Sequence, residues 1–189
     1  MHELRVTGFG GQGIIRTGMI IGKAISLYGG KHATLTQSFG PEARGSACSA
    51  QVVIDDVPVT YPYITGIDYL VAMSQEGYSK SIGELRPDGV LVIEKDLVIP
   101  DDMPGRTIFS IPATRVAEDL GVRIAANLVM VGFFTAVTGL MTLDDVKQAI
   151  PGTVPDRFLA LNLKALQEGY DYGVKELAAA GVGAGEEAK

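Results

Sequence analysis

Residues 3–36 read ELRVTGFGGQGIIRTGMIIGKAISLYGGKHATLT, and this stretch decides the fold class. Glu3 to Gly8 is a short β-rich run that ends in glycines, and Ile14 to Tyr28 then repeats apolar residues at helical spacing. Gly29-Gly30 is a natural helix end, and Lys31 to Thr36 again favours a strand. The order predicts a Rossmann-like β-loop-α-β start to an α/β fold.

Apolar runs farther along the chain supply the remaining strands. Ala47 to Asp55 alternates apolar and polar residues, which is the period of a half-buried strand. Further strands are predicted at Asp68–Met73, Val90–Glu94 and Thr107–Ile111. The segment that holds Pro58 and Pro62 favours a sheet edge. We therefore expect a mixed, mostly parallel sheet with helices on both faces.

The C-terminal part is predicted to be helical. Thr142 and Asp145 resemble a capping box, and Pro155 opens a last helix whose apolar residues recur every three or four positions. In 189 residues we find no internal repeat and no linker, so we expect a single α/β domain over residues 1–180. Small and charged residues predict a flexible tail over residues 181–189.

Composition argues against several classes of function. The net charge of −6 leaves no electrostatic footprint for nucleic acid and disfavours an anionic membrane surface. The apolar segment from Ile124 to Leu140 is shorter than the roughly 20 residues that span a bilayer, so we expect a buried helix or a subunit-interface helix. Met1 to Leu4 lacks the basic region of a signal peptide, and we expect a cytoplasmic protein.

Residues that bind metals are scarce. Cys48 is the single cysteine, and His2 and His32 are the only two histidines. One thiolate cannot hold an iron–sulfur cluster, which needs about four ligands, and no His/Cys metal spacing exists. We expect no metal and no cofactor of this chain's own, and we assign no residue as acid, base or nucleophile.

Gly8 to Gly13 reads GFGGQG and matches G-x-G-x-x-G between a strand and a helix. Such glycines allow close backbone approach, while the helix N-terminus presents free N–H groups to an anion. NAD binding also needs an acidic residue about 20 positions on, but Gly13 to Pro41 contains no Asp or Glu. Three interpretations stay open: a phosphate-bearing ligand, NADP bound through Arg44, or glycines that only permit helix–sheet packing.

Residues 37–47 read QSFGPEARGSA and form the most distinctive stretch of the chain. Gly40-Pro41 and Gly45-Ser46 are turn pairs, so Glu42 and Arg44 lie on a constrained loop after the second strand. Open α/β sheets bind ligands at the carboxyl ends of strands, and both loops share that edge if their strands are parallel. The planar guanidinium of Arg44 suits a phosphate or a partner carboxylate; a solvated Arg–Glu turn is the alternative.

Together the two loops resemble the γ-subunit family of the 2-oxoacid oxidoreductases, also called the pyruvate/ketoisovalerate oxidoreductase catalytic domain. The resemblance rests on GFGGQG at residues 8–13 and SFGPEARG at residues 38–45. It extends through Gln51–Ile54, Asp68–Ala72 and the helix around Asn127, which is almost the whole chain. The family usually has a second glycine where this chain has Ser46.

The resemblance implies a role inside a larger enzyme. Members oxidatively decarboxylate a 2-oxoacid with coenzyme A, giving acyl-CoA, carbon dioxide and reduced ferredoxin. Thiamine diphosphate and the iron–sulfur clusters are then expected in thiamine-binding α/β subunits and a ferredoxin-like subunit. This chain would be the γ subunit, inactive alone, packing on its partners and helping to hold coenzyme A. General likeness favours 2-oxoglutarate as the 2-oxoacid.

Carried over by position, the family motifs assign binding and interface roles to eight residues: Gly10, Gly11, Gln12, Gly13, Ser38, Gly40, Glu42 and Arg44. A stand-alone nucleotide-binding module or NADP-dependent reductase stays open, as does a purely structural subunit. A homodimer of the isolated chain is also left open.

Overall fold

A computed structural model describes residues 1–39 and 47–180, so Gly40, Glu42 and Arg44 of the second motif and the predicted tail lie outside the described residues. The strands are β1 His2–Phe9, β2 His32–Phe39, β3 Ala47–Asp55, β4 Ile67–Ala72, β5 Leu85–Glu94 and β6 Thr107–Ile111. The α-helices are α1 Ile14–Lys23, α2 Gln75–Ser81, α3 Ala113–Asp119, α4 Ala126–Thr138, α5 Leu143–Ala149 and α6 Leu159–Ala179. Short helical turns extend α1 over Ala24–Tyr28 and precede α4 over Arg123–Ala125.

The described strands form one sheet in the order β2-β3-β1-β4-β5-β6. Strands β1, β4, β5 and β6 are parallel neighbours, whereas β3 pairs antiparallel with both β1 and β2. Strands β1 and β2 therefore run in the same direction with β3 inserted between them. The prediction of a mixed, mostly parallel sheet with a Rossmann-like start is confirmed.

Helices cover both faces of the sheet, as predicted. On one face, alternate residues of the strands, such as Leu4, Val52 and Val92, form the larger core of the protein. Five helices pack on them: α1, α3, α4, α5 and α6. On the other face the ring of Tyr78 in α2 packs with Leu70 and Leu91. Over β3 this second face is partly covered: Val53 is buried and lines a pocket together with residues of the segment between β3 and β4, whereas Ser49 and Gln51 line a polar groove.

Helix α4 lies in the middle of the larger core. Every residue from Ala126 to Thr135 is buried, because the sheet lies on one side and α6 crosses on the other. At the crossing a Cβ atom on Gly132 would overlap the carbonyl oxygen of Leu166, and one on Gly169 would overlap that of Val129. The expected buried helix is confirmed, and none of the described helices is long and apolar enough to cross a bilayer.

The expectation of a sheet edge at Pro58 and Pro62 is wrong. Between β3 and β4 the chain has no strand, and the edge strands of the described sheet are β2 and β6. Prolines lack the N–H that pairing needs, and the end of this segment is bound to a side chain instead. The buried carboxylate of Glu3 accepts hydrogen bonds from the Thr65 and Gly66 N–H groups at 2.8 and 3.1 Å.

Candidate functional site

The glycine loop is a tight turn from β1 into α1. Gly11 has φ +100° and Gly13, which directly precedes α1, has φ +76°, and glycine adopts this left-handed region at no steric cost. Gly10 and Gly11 are exposed. A Cβ atom on Gly13 would lie 2.7 Å from Nδ2 of Asn127. The loop therefore packs directly on the first turn of α4, which no side chain larger than glycine would allow.

The Gln12 side chain fixes the loop to the sheet. Its Oε1 accepts the Phe9 N–H at 2.7 Å, and its Nε2 donates to the Met73 carbonyl at 2.9 Å. Since Met73 directly follows β4, the amide ties the ends of two neighbouring strands together. The predicted binding role of Gln12 stays a prediction, and the contacts described here are within the chain.

Two helices begin beside this loop without a side-chain cap. Within the described part of the chain, neither α1 nor α4 has a side-chain hydrogen bond at its N-cap, and neither has Asp or Glu in its first turn. The N–H groups at a helix start carry partial positive charge. In addition, Nδ2 of Asn127, the second residue of α4, is buried and has no hydrogen-bond partner among the residues that the structure describes. The start of α1 and the helical turn that leads into α4, where the Ala126 N–H donates to the Arg123 carbonyl, thus both lie beside the loop, which is an arrangement suited to an anion.

A cleft of about 360 Å³ opens next to these helix starts. It lies beyond the carboxyl ends of β1, β4, β5 and β6, and its lining combines loop, strand-end and helix residues: Gly11, Gln12, Met73, Leu97, Thr114, Arg123, Ile124 and Ala126. From β1 the chain runs to β2 and β3 on one side, while β4, β5 and β6 lie on the other. Open α/β sheets bind ligands at this switch in strand order.

A buried carboxylate underlies one wall of the cleft. Glu94, the last residue of β5, is fully buried. Its Oε2 accepts hydrogen bonds from the N–H and the hydroxyl of Thr114 at 2.8 and 3.0 Å, and its Oε1 accepts the Asp96 N–H at 3.2 Å. Burial raises the pKa of Glu94 above its ordinary value, although the hydrogen bonds from Thr114 and Asp96 oppose that shift. Sequence reasoning missed this pair; the available signal was a carboxylate that ends an otherwise apolar buried strand.

The two sequence motifs begin at the same edge of the sheet but line different cavities. Phe9 pairs with Ala47, and Phe39 pairs with Cys48, so β1 and β2 end side by side across β3, as expected. Gly11 and Gln12 line the cleft on the helix-rich face, whereas Ser38 lines a polar groove of about 310 Å³ on the opposite face. Gly40, Glu42 and Arg44 lie outside the described residues.

Two further side-chain findings concern chemistry. Cys48 is buried in the larger core, and burial raises the pKa of its thiol. Within residues 1–39 and 47–180, no three His, Cys, Asp or Glu side chains lie close enough to share a metal ion.

Comparison with known proteins identifies the family. The family model described as "Pyruvate ferredoxin/flavodoxin oxidoreductase" matches residues 3–172. The 2-oxoglutarate synthase subunit KorC of Methanocaldococcus jannaschii is 43% identical over 178 residues, which cover 93% of this chain and 95% of that protein.

Two solved structures are also similar. The γ subunit of a keto/oxoacid ferredoxin oxidoreductase from Geobacter sulfurreducens superposes with a TM-score of 0.81 at 35% identity, covering 93% of this chain and 99% of that one. The 2-oxoglutarate:ferredoxin oxidoreductase of Magnetococcus marinus, solved with 2-oxoglutarate, coenzyme A and succinyl-CoA bound, superposes with a TM-score of 0.77 at 25% identity. That match covers 95% of this chain and 31% of the other. The chain therefore belongs to the pyruvate ferredoxin/flavodoxin oxidoreductase family and matches its γ-type subunits over nearly its whole length.

Proposed function

We propose that this chain is the γ subunit of a thiamine-dependent 2-oxoacid:ferredoxin oxidoreductase, in which its cleft holds part of coenzyme A. The enzyme converts a 2-oxoacid and coenzyme A to acyl-CoA and carbon dioxide and reduces ferredoxin. The observation that carries the proposal is the convergence of two uncapped helix starts, α1 and α4, on the glycine loop. Helix starts of this kind bind phosphate groups.

The lining of the cleft suits coenzyme A in two ways. The helix starts offer donors for phosphates, and Arg123, whose Nη1 lies 3.5 Å from Oε1 of Glu118, adds a guanidinium to the lining. Met73, Leu97 and Ala126 form apolar walls. Coenzyme A carries phosphates at one end and a long, partly apolar pantetheine arm at the other. The M. marinus enzyme, solved with coenzyme A and succinyl-CoA bound, supports this class of ligand.

The proposal assigns the redox chemistry to partner subunits. Thiamine-binding α/β subunits supply thiamine diphosphate, and a ferredoxin-like subunit supplies the iron–sulfur clusters, since the single thiol of Cys48 cannot hold one. The isolated chain is inactive, and the complex is cytoplasmic. We favour 2-oxoglutarate as the 2-oxoacid because the M. jannaschii and M. marinus proteins are both named for it.

The geometry disfavours a dinucleotide at this loop. In a dinucleotide-binding fold the strand after the first helix lies next to β1 and brings an acidic residue to the ribose. Here β3 separates β2 from β1, and Gly13 to Pro41 contains no acidic residue. A stand-alone NADP reductase is therefore the weaker interpretation, and a purely structural subunit is the main competitor.

An engineered charge at the cleft tests coenzyme A binding. Ile124 lines the cleft in the helical turn that leads into α4 and is 75% exposed, so its substitution leaves the core intact. Ile124→Asp adds negative charge where the phosphates would bind, and Ile124→Asn is the neutral control of the same shape. In the reconstituted complex we expect Ile124→Asp to raise the KM for coenzyme A roughly ten-fold, about 1.4 kcal/mol, relative to Ile124→Asn.

Three readouts separate the competing functions. An unchanged KM for coenzyme A in both variants, with assembly intact, would mean that the chain is purely structural. Turnover of a 2-oxoacid by the isolated chain would contradict the subunit role. The preferred 2-oxoacid follows from kcat/KM values of the complex for 2-oxoglutarate, pyruvate and 2-oxoisovalerate, of which we expect the first to be highest.

A further inference from the structure

The Thr114 hydroxyl is held in one orientation at the wall of the cleft. It donates to Oε2 of Glu94 at 3.0 Å, and the same oxygen accepts the Thr114 N–H at 2.8 Å. Glu94 is fully buried, and no Lys or Arg of the described chain forms a salt bridge with it. Its carboxylate is thus supported by hydrogen bonds alone, and the Thr114 hydroxyl is one of three donors.

This arrangement decides what the hydroxyl can offer to a ligand. The Thr114 hydroxyl is the donor in its hydrogen bond to Glu94, so its single proton is committed to that carboxyl group. The Thr114 oxygen can then only accept a hydrogen bond from the cleft side. Elsewhere the cleft offers donors, at the starts of α1 and α4 and on the Arg123 guanidinium. The cleft therefore has a donor-rich part and, at Thr114, a fixed acceptor.

We propose that Thr114 is a specificity-determining residue that accepts a hydrogen bond from an amide N–H of the pantetheine arm of coenzyme A, and that Glu94 is the positioning residue that makes Thr114 an acceptor. This inference rests on the proposed function, because it takes coenzyme A as the ligand. The pantetheine arm carries two amide groups among apolar methylenes, which matches an acceptor beside the side chains of Met73 and Leu97. The phosphates then occupy the donor-rich part.

Two substitutions at one position separate recognition from a purely structural role. Thr114→Val keeps the shape of the side chain and removes the acceptor, whereas Thr114→Ser keeps the hydroxyl and its bond to Glu94. The ligands are coenzyme A and adenosine 3′,5′-bisphosphate, which has the nucleotide phosphates but no pantetheine arm. Each is titrated into the reconstituted complex by calorimetry.

Thr114→Val is expected to weaken coenzyme A binding roughly two- to twelve-fold, the range for one neutral hydrogen bond, and to leave bisphosphate binding unchanged. Thr114→Ser retains both affinities. Unchanged bisphosphate binding also shows that the valine variant is folded. Equal weakening of both ligands, or no effect on coenzyme A, overturns the proposal.

Kinetics of the complex test the positioning role of Glu94. Glu94→Gln replaces one of the two acceptor oxygens with a donor group and leaves a single oxygen for the three donors of Thr114 and Asp96, so the hold on the Thr114 hydroxyl is weakened. We expect the KM for coenzyme A to rise with kcat unchanged. A fall in kcat at constant KM would contradict this role.

Ile124→Asp distinguishes failure of this inference from failure of the proposed function. If it weakens both ligands while Thr114→Val weakens neither, only the inference about Thr114 fails. If it weakens neither ligand, coenzyme A does not bind in the cleft and the proposed function fails with it.

Discussion

At the residue scale, Gly13 satisfies two requirements at once. Its φ of +76° lies in the left-handed region, and a Cβ atom there would meet Asn127 Nδ2 at 2.7 Å. Left-handed backbone costs an L residue about 1–2 kcal/mol, and the contact adds to that cost. We expect Gly13→Ala to lower the free energy of unfolding by about 2–4 kcal/mol, measured by urea denaturation.

Gly139 provides the matched control for this substitution. Its φ is +61°, and a Cβ atom there meets no atom of the described residues within 4 Å. Gly139→Ala therefore reports backbone strain alone, about 1–2 kcal/mol. The double variant Gly13→Ala/Asn127→Ala should recover part of the loss. Equal losses for Gly13→Ala and Gly139→Ala would mean that the contact with Asn127 contributes nothing.

At the element scale, the crossing of α4 and α6 depends on glycine. A Cβ atom on Gly169 would overlap the Val129 carbonyl oxygen, so the two backbones are in direct contact. Alanine normally favours a helix over glycine by about 1 kcal/mol, but overpacking costs about 1–3 kcal/mol. We expect Gly169→Ala to lower the melting temperature by several degrees in calorimetry.

The matched control is a helical glycine that has room for a side chain. A Cβ atom on Gly22 of α1 would lie 4.0 Å from Cγ1 of Val52, which is an ordinary contact. Gly22→Ala should therefore raise the melting temperature by a few degrees, since a helix propensity gain of up to about 1 kcal/mol is unopposed. If Gly169→Ala is as stable as Gly22→Ala, then α4 and α6 can move apart at no cost in the free energy of unfolding.

Most elements could be predicted because their signals are local. The alternation over Ala47–Asp55 and the apolar run Thr107–Ile111 coincide with β3 and β6, and the capping box of Thr142 and Asp145 is confirmed at the start of α5. The segment around Pro58 was misassigned because its path depends on a distant partner. Glu3, about 60 residues away in the chain, accepts the N–H groups that end it.

At the scale of the whole molecule, Glu94 makes the free energy of unfolding depend on pH. Burial raises the pKa of its carboxyl group in the folded protein, so the folded state holds this proton at pH values where the unfolded chain has lost it. Stability contributed by Glu94 therefore falls as pH rises from the ordinary glutamate pKa through the raised one, by at most about 1.4 kcal/mol per pH unit.

Urea denaturation across pH 4 to 8 checks this dependence, with Glu94→Gln as the variant and the exposed Glu168→Gln as the control. We expect Glu94→Gln to lose part of the decline in stability with rising pH, whatever its absolute stability. The control should follow the wild-type curve. Parallel curves for Glu94→Gln and wild type would contradict the raised pKa.

The strand order and part of the cleft lining could not be predicted from the sequence, because both depend on contacts between distant parts of the chain. The motif at Gly8 to Gly13 correctly placed Gly11 and Gln12 at a strand end, and both line the cleft. Thr114 and the start of α4 lie about 100 residues later in the sequence. No local sequence pattern predicts that they lie next to the glycine loop. The insertion of β3 between β1 and β2 likewise follows from strand pairing rather than from any single stretch.

The enclosure of α4 has a consequence for how the cleft adapts to an incoming molecule. With the sheet on one side and the glycine contacts of α6 on the other, α4 cannot retreat without separating two backbones. Adjustment is expected from exposed parts of the lining instead, foremost the turn at Gly10 and Gly11. Amide hydrogen exchange should accordingly be slow along α4 in both free and loaded complexes, and slow down on loading at the turn.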